Sequence, residues 1–273
     1  MRVSLRIRLL GLLAVPALLL GADKLQDALA GLKSKDASTY EKAAEFLAKH
    51  PQQARDPLQK LLQQYDDKDA LTRFRAAKLL GDLNDQSSAE VMKKVLFSGL
   101  ETNAAVRVEI IRALAKLGRK DVIIAYSNSG LEKSATVTAA IALALQGSAD
   151  EDSKAELGRL LSSTDDERVS RAAVFAISKI YKPVLENPRN AMASKSSGLS
   201  KAASSRGKLP APPPPPSTTP DDKAGNAKAK LEPTAADQAI FAALKAKGES
   251  KNPAITKEAA ALLQEISKIY KQP

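Results

Sequence analysis

The chain of 273 residues contains no cysteine, no tryptophan and a single histidine, and only 4% of its residues are aromatic. The absence of cysteine excludes disulfides, thiolate catalysis and cysteine-ligated metals. Few aromatic residues are unfavourable for a β-sandwich, and no stretch alternates apolar and polar residues as a strand would. We therefore expect an all-α protein.

Side chains that could carry catalysis are also scarce. The single histidine, His50, lies in a Lys-His-Pro sequence where we interpret it as the C-terminal cap of a helix. One histidine cannot form a paired histidine metal site, and neither a Gly-x-Ser-x-Gly elbow nor a phosphate-binding glycine loop is present. We predict no catalytic residue, metal site or cofactor, and so a protein that is not an enzyme.

The net charge of +11 belongs mainly to the two ends of the chain. Arg2, Arg6 and Arg8 precede an apolar run from Leu9 to Leu20, and small residues follow at Gly21 and Ala22. This three-part order is typical of a secretory signal peptide, and the apolar run is short for a permanent membrane span. We predict a signal peptide over residues 1–22 and export to the periplasm or cell envelope, with secretion as an alternative; retention of the segment as an anchor stays open.

A repeat of 31 to 34 residues dominates residues 23–186. Similar alanine-rich segments open at Thr72-Arg73, Val106-Arg107, Val137-Thr138 and Val169-Ser170. Within the second segment, helical spacing places one set of residues on a single buried face: Val106, Ile110, Ala113, Leu114 and Leu117. Weaker apolar segments precede each opening. This pattern predicts stacked helical hairpins.

Residues at the ends of the predicted helices agree with this interpretation. Asp69, Asn103, Ser134 and Asp166 stand about three residues before the repeat openings, where N-caps are expected. Four glycines fall where helices should end, at Gly99, Gly118, Gly130 and Gly147. Small residues such as Ala113 predict a close approach between neighbouring helices.

The openings, together with the Leu-x-x-Leu-Gly ending at Leu114 to Gly118, resemble the HEAT-like repeat family. The resemblance covers about residues 36–186 and is nearest to the short HEAT repeats of phycobilisome lyase-type proteins. It implies a HEAT/armadillo-like α-solenoid over residues 23–186. A tetratricopeptide array is the main rival because its period is 34 residues, but its tryptophan and proline pattern is missing.

The sequence changes character after the repeats. Residues 187–234 are rich in serine, lysine, alanine and proline, with five consecutive prolines at Pro212 to Pro216. We predict a disordered basic linker that could contact an anionic surface.

Helical periodicity returns in residues 235–273, which we interpret as a C-terminal helical hairpin. Its Ile266 to Lys271 sequence is identical to Ile177 to Lys182, and we expect it to dock on the repeats, in the same copy or another.

These features favour an exported scaffold that binds another protein. We predict recognition through exposed arginines on the repeated helices: Arg73, Arg107, Arg112, Arg168 and Arg171. The alternatives are a lyase-type HEAT-repeat enzyme or enzyme subunit, implied only by the family resemblance, and a nucleic-acid-binding solenoid. The near-neutral repeat region makes nucleic acid the weaker choice.

Overall fold

A computed structural model describes residues 15–65, 69–186, 231–250 and 252–270, with side chains from residue 23 onward. Over these ranges the chain forms helices joined by short connections, with no strand, and the expected all-α class is confirmed. The helices are α1 (Val15–Gly31), α2 (Ala37–Lys49), α3 (Pro51–Leu62), α4 (Ala70–Asp82), α5 (Ser88–Phe97), α6 (Ala104–Lys116), α7 (Lys120–Asn128), α8 (Ala135–Ala144), α9 (Glu151–Ser163), α10 (Glu167–Glu186), α11 (Ala235–Gly248) and α12 (Pro253–Ser267).

The chain divides into two compact units, residues 1–144 and residues 145–273. In unit 1, α4 packs on α6 and α6 packs on α8, while α3, α5 and α7 pack against these helices and each other. The predicted buried face of α6 is confirmed, because all five of its residues are at most 4% exposed. The equivalent positions Val137 and Ile141 of α8 are fully buried as well.

Small residues set the distance between α4 and α6. A Cβ atom added to Gly81 would lie 2.8 Å from the Cβ of Ala113 and 2.9 Å from its Cα. The backbones therefore approach more closely at this point than any side chain on Gly81 would permit. This contact agrees with the close approach that the sequence predicted at Ala113.

A buried arginine fixes the end of α1. The Nη1 atom of Arg75 in α4 donates hydrogen bonds to the carbonyl oxygens of Leu32 (2.7 Å) and Ser34 (2.6 Å). Its guanidinium also lies 4.1 Å from the ring centroid of Tyr40 in α2. A positive charge satisfies the free carbonyls at a helix C-terminus and favours an aromatic face, so Arg75 joins three helices.

In unit 2, α9 and α10 form one hairpin, and α11 and α12 form a second hairpin that docks on it. Helix α11 packs along α9 while α12 packs along α10. The docked hairpin supplies a large share of the core of this unit through residues that are at most 7% exposed, namely Ile240, Phe241, Leu244, Ile255, Leu262 and Ile266. The docking expected of the C-terminal hairpin is therefore present within one copy.

Two other expectations fall wholly or mainly outside the described residues. Residues 1–14 of the predicted signal peptide and residues 187–230 of the predicted linker are not described, whereas α1 continues across Ala22, where the signal was expected to end. In the described part of the chain, no helix has both the length and the apolar character needed to cross a membrane.

Candidate interaction surface

Two loops of unit 1 share one four-residue sequence. Ser98-Gly99-Leu100-Glu101 joins α5 to α6, and Ser129-Gly130-Leu131-Glu132 joins α7 to α8. The loops lie 31 residues apart, which is the period of the repeat. We call these two segments the leucine loops.

The same hydrogen bonds shape both leucine loops. In the first, the Oγ of Ser98 donates to the carbonyl oxygen of Val95 (2.8 Å) and accepts from the N–H of Leu100 (3.1 Å). In the second, the Oγ of Ser129 donates to the carbonyl oxygen of Tyr126 (2.7 Å) and accepts from the N–H of Leu131 (3.3 Å). The following glycines, Gly99 and Gly130, adopt φ angles of 70° and 72°, a left-handed conformation that glycine reaches without strain.

The glutamate of each leucine loop organises the start of the next helix. The Oε1 atom of Glu101 accepts from the N–H of Asn103 (2.9 Å), and the Oε1 of Glu132 accepts from the N–H of Ser134 (2.7 Å). Asn103 is the N-cap of α6, and its side chain accepts from the first-turn N–H groups of α6. The far end of each leucine loop is therefore also held by a hydrogen bond near the start of the next helix.

Each of these glutamates also binds the arginine of the preceding repeated helix. Glu101 pairs with Arg73 of α4 through two contacts, Nε to Oε2 at 2.5 Å and Nη2 to Oε1 at 3.1 Å. Glu132 pairs with Arg107 of α6 in the same way, at 2.8 Å and 3.1 Å. Such bidentate pairs are geometrically specific, so they define the register between successive helices.

Backbone carbonyls accept further hydrogen bonds from both guanidinium groups. Arg73 donates from Nη1 to the carbonyl oxygen of Gln64 (2.9 Å). Arg107 donates from Nη1 to the carbonyl oxygens of Glu101 (2.9 Å) and Thr102 (2.8 Å). Because the guanidinium groups are directed at the protein's own acceptors, they serve the fold of unit 1.

The electrostatic balance at Glu132 follows from these contacts. Burial raises the pKa of this carboxyl, but hydrogen bonds from Arg107, from the N–H of Ser134 and from the hydroxyl of Tyr126 outweigh that effect and leave the pKa below its ordinary value. Burial and the acceptor Glu132 both raise the pKa of Tyr126. Glu132 is therefore held as a carboxylate beneath the second leucine loop.

The expectation that Arg73 and Arg107 are exposed is wrong. The side chain of Arg73 is 1% exposed and that of Arg107 is 15% exposed. Sequence reasoning missed the reason, because the partner glutamates lie 28 and 25 residues further along the chain. A usable signal existed in the sequence: a Ser-Gly-Leu-Glu segment recurs with the repeat, downstream of each arginine.

The other three candidate arginines are exposed. In unit 1, Arg112 lies beside Glu109. In unit 2, Arg168 lies beside Asp166, and Arg171 beside Glu167. The structure therefore does not bring the five arginines together as one exposed row: two are internal, one is on the surface of unit 1, and two are on the surface of unit 2.

The exposed side chains near these buried arginines are leucines. Leu100 is 59% exposed and Leu131 is 50% exposed, each at the outer point of its leucine loop. Leu71 is also exposed, and it lies at the start of α4 two residues before Arg73. Exposed apolar side chains that recur at the same place in two repeats are candidates for contact with a partner.

No protein-family model matches the chain, and a search of curated proteins finds no similar one.

Proposed function

We propose that the chain is an exported scaffold that binds another protein, and that its helix pairs form a HEAT-like α-solenoid working in the periplasm or cell envelope. The observation that carries the proposal is the duplicated leucine loop, which displays Leu100 and Leu131 in the same conformation one repeat apart. The order of packing, α4 on α6 and α6 on α8, supports the repeat architecture.

The leucine loops favour an apolar protein segment as the partner. Their two acidic residues are taken up by Arg73 and Arg107, so the groups left toward solvent are the leucine side chains and their glycine and serine neighbours. Exposed Lys133 follows the second loop, but the loops themselves present apolar side chains, which suits a partner that presents apolar side chains in turn. Since the backbone is already ordered, binding would cost little further chain entropy.

The binding test uses the full chain with a substitution that adds charge to the leucine loops. We expect Leu100→Asp combined with Leu131→Asp to abolish capture of the protein that the unmodified chain retains from cell-envelope extract. Leu143→Asp is the matched control, because Leu143 is a solvent-exposed leucine (39%) on α8, outside both loops. Equal capture by the unmodified chain, the double variant and the control would contradict the proposed surface.

The export part of the proposal has a separate test. It is supported by the three arginines and the apolar run at the N-terminus. Fractionation of cells that produce the full chain should place it outside the cytoplasm, and removal of residues 1–22 would give a mature N-terminus at Asp23. A full-length chain confined to the cytoplasm would contradict export.

A further inference from the structure

The C-terminal hairpin, α11 and α12, depends on α9 and α10 for its burial. Ile240 and Leu244 of α11 are fully buried, and Ile266 of α12 is 1% exposed. Gly158 of α9 lets α11 approach closely, since an added Cβ would lie 3.4 Å from the backbone nitrogen of Ile240. Two amphipathic helices of this length are marginal without a partner surface. The receiving surface formed by α9 and α10 is thus required for the hairpin to stay folded.

A buried charge makes the docking specific. The carboxylate of Asp237 in α11 is 2% exposed, pairs with Lys154 Nζ of α9 at 2.9 Å, and accepts a 2.5 Å hydrogen bond from the hydroxyl of Tyr181 in α10. Its second oxygen accepts from the N–H of Thr234, which completes a capping box at the start of α11. One carboxylate therefore joins the hairpin to both receiving helices.

Contacts at the other end of α11 fix the orientation of the hairpin. Lys247 donates from Nζ to the carbonyl oxygen of Thr164 (2.5 Å) and pairs with Asp165 (3.0 Å) in the loop between α9 and α10. Asn252, the N-cap of α12, donates from Nδ2 to Glu167 (3.2 Å) at the start of α10. Polar contacts therefore hold the hairpin at both ends of α11 and at the start of α12.

The chain between the two hairpins is much longer than the other connections. Helices α4 and α5 are joined by residues 83–87, and α6 and α7 by residues 117–119, whereas residues 187–234 separate α10 from α11. Fully extended, these 48 residues would span at most about 170 Å. Because all of the contacts above join residues 145–186 to residues 231–270, none of them requires both partners to belong to the same copy.

We propose that the C-terminal hairpin is exchangeable between copies: it docks on the α9–α10 pair of a second copy of this chain, and the second copy returns its own hairpin. The exchanged dimer contains the same contacts as the monomer. An intramolecular site acts at an effective concentration of about a millimolar or below, so exchange grows as the local concentration of the chain rises. The contacts lie in unit 2, and the proposal does not depend on the leucine loops.

A charge exchange tests the proposal directly in the full chain. Lys154→Glu sets two carboxylates against each other within one copy, and Asp237→Lys sets two ammonium groups against each other. When these two variants are mixed, exchange pairs the two introduced side chains at one site and restores the Lys154–Asp237 pair at the other. We expect native mass spectrometry to detect at least about tenfold more dimer in the mixture than in either variant alone, because exchange corrects two buried pairs and each of them shifts the equilibrium toward the dimer.

The control carries both substitutions, Lys154→Glu and Asp237→Lys, in one chain. This chain should return to the monomer fraction of the unmodified protein, since its own charges are again complementary. A mixture with no more dimer than its separate components would overturn the proposal.

A second measurement leaves the buried charges intact, in case the charge variants do not fold. The absence of cysteine allows one chain with Asn252→Cys and another with Glu167→Cys to be concentrated together to about a millimolar, the range in which exchange competes with the intramolecular site, and then treated with a short bis-maleimide. We expect a covalent dimer of the two different chains, well above the amount formed by either chain alone. Equal amounts in all three samples would overturn the proposal.

Discussion

The two units differ in the sequence separation between their buried charged residues and the partners of these residues. In unit 1, Arg73 and Arg107 bind glutamates 28 and 25 residues away, one repeat further on. In unit 2, buried Asp237 accepts from Tyr181, 56 residues away, and buried Lys247 pairs with the exposed Asp165, 82 residues away. Similar chemistry thus joins neighbouring repeats in one unit and a distant hairpin in the other. In unit 2 the connecting chain is long enough for the hairpin to dock either on its own copy or on a second copy.

The largest expected effect comes from Arg73→Ala in unit 1. This change leaves Glu101, whose side chain is fully buried, without its cation, and such a loss costs about 3–5 kcal/mol of unfolding free energy. Hydrogen exchange should show faster exchange in α4 and α6 while α11 and α12 keep their protection. Arg171→Ala is the control, because both side chains of its pair with Glu167 are exposed, and an exposed pair contributes about 0–1 kcal/mol. Equal losses in the two variants would show that burial does not distinguish the arginines.

The matching change in unit 2 is Asp237→Asn. It removes the negative charge beside Lys154, and Glu151 at 3.2 Å still offsets part of the lysine charge, so we expect a loss near the lower end of about 3–5 kcal/mol. The loss should appear in the protection of α11 and α12 first. If α4 and α6 lost protection equally in this variant, the separation between the two units would be contradicted.

Low pH should weaken the docking of the C-terminal hairpin in unit 2. Burial raises the pKa of Asp237, but Tyr181 and Lys154 outweigh that effect and hold it below its ordinary value. A depressed folded-state pKa contributes stability above the unfolded pKa of about 3.9, and that stability is lost as the pH falls through the folded value. Hairpin protection should therefore fall below about pH 4.

The control for the acid response is Asp237→Asn, which should remove this pH dependence from the hairpin. Glu132→Gln should remove a corresponding dependence from unit 1 alone, because the pKa of Glu132 is lowered as well. An unchanged acid response of the hairpin in Asp237→Asn would show that another carboxyl controls its docking.

A smaller effect is expected from Gly81→Ala. The added methyl group would lie 2.8 Å from the Cβ and 2.9 Å from the Cα of Ala113, so the backbone of one of the two helices would have to shift. Overpacking of this kind costs about 1–3 kcal/mol, which thermal unfolding would measure. Gly158→Ala in unit 2, with its nearest contact at 3.4 Å, should cost less. The reverse order would contradict the tight packing between α4 and α6.

Leu100→Asp should have the smallest effect on stability. Leu100 is 59% exposed, and substitutions at such positions usually change the unfolding free energy by less than about 0.5 kcal/mol. A larger loss, measured by denaturant titration, would mean that Leu100 supports the fold and is not available to a partner.

The helices and their buried faces could be predicted because they depend on local periodicity. Val106, Ile110 and Leu114 follow a spacing that needs no knowledge of distant residues, and all three are fully buried. The role of His50 was equally local: it caps the end of α2, and its Nδ1 atom lies 2.8 Å from the carbonyl oxygen of Phe46. That part of the prediction is confirmed.

The candidate site was harder to predict because it depends on pairing. An arginine at the start of a helix is usually solvated, and nothing next to Arg73 in the sequence indicates that Glu101 will cover it. The docking of the hairpin is similar: Thr234 and Asp237 have capping-box spacing, but the burial of Asp237 depends on Lys154 and Tyr181. Contacts between different helices determine which charged side chains are buried, and the periodicity of a single helix does not reveal those contacts.

The most direct measurement of the contrast between the two units is native-state hydrogen exchange of the full chain in increasing denaturant. The account predicts that α11 and α12 open together, at a lower free energy than α4, α6 and α8, because the hairpin can leave its receiving surface while the Arg–Glu pairs of unit 1 remain intact. A single transition in which all of these helices exchange at the same free energy would contradict it.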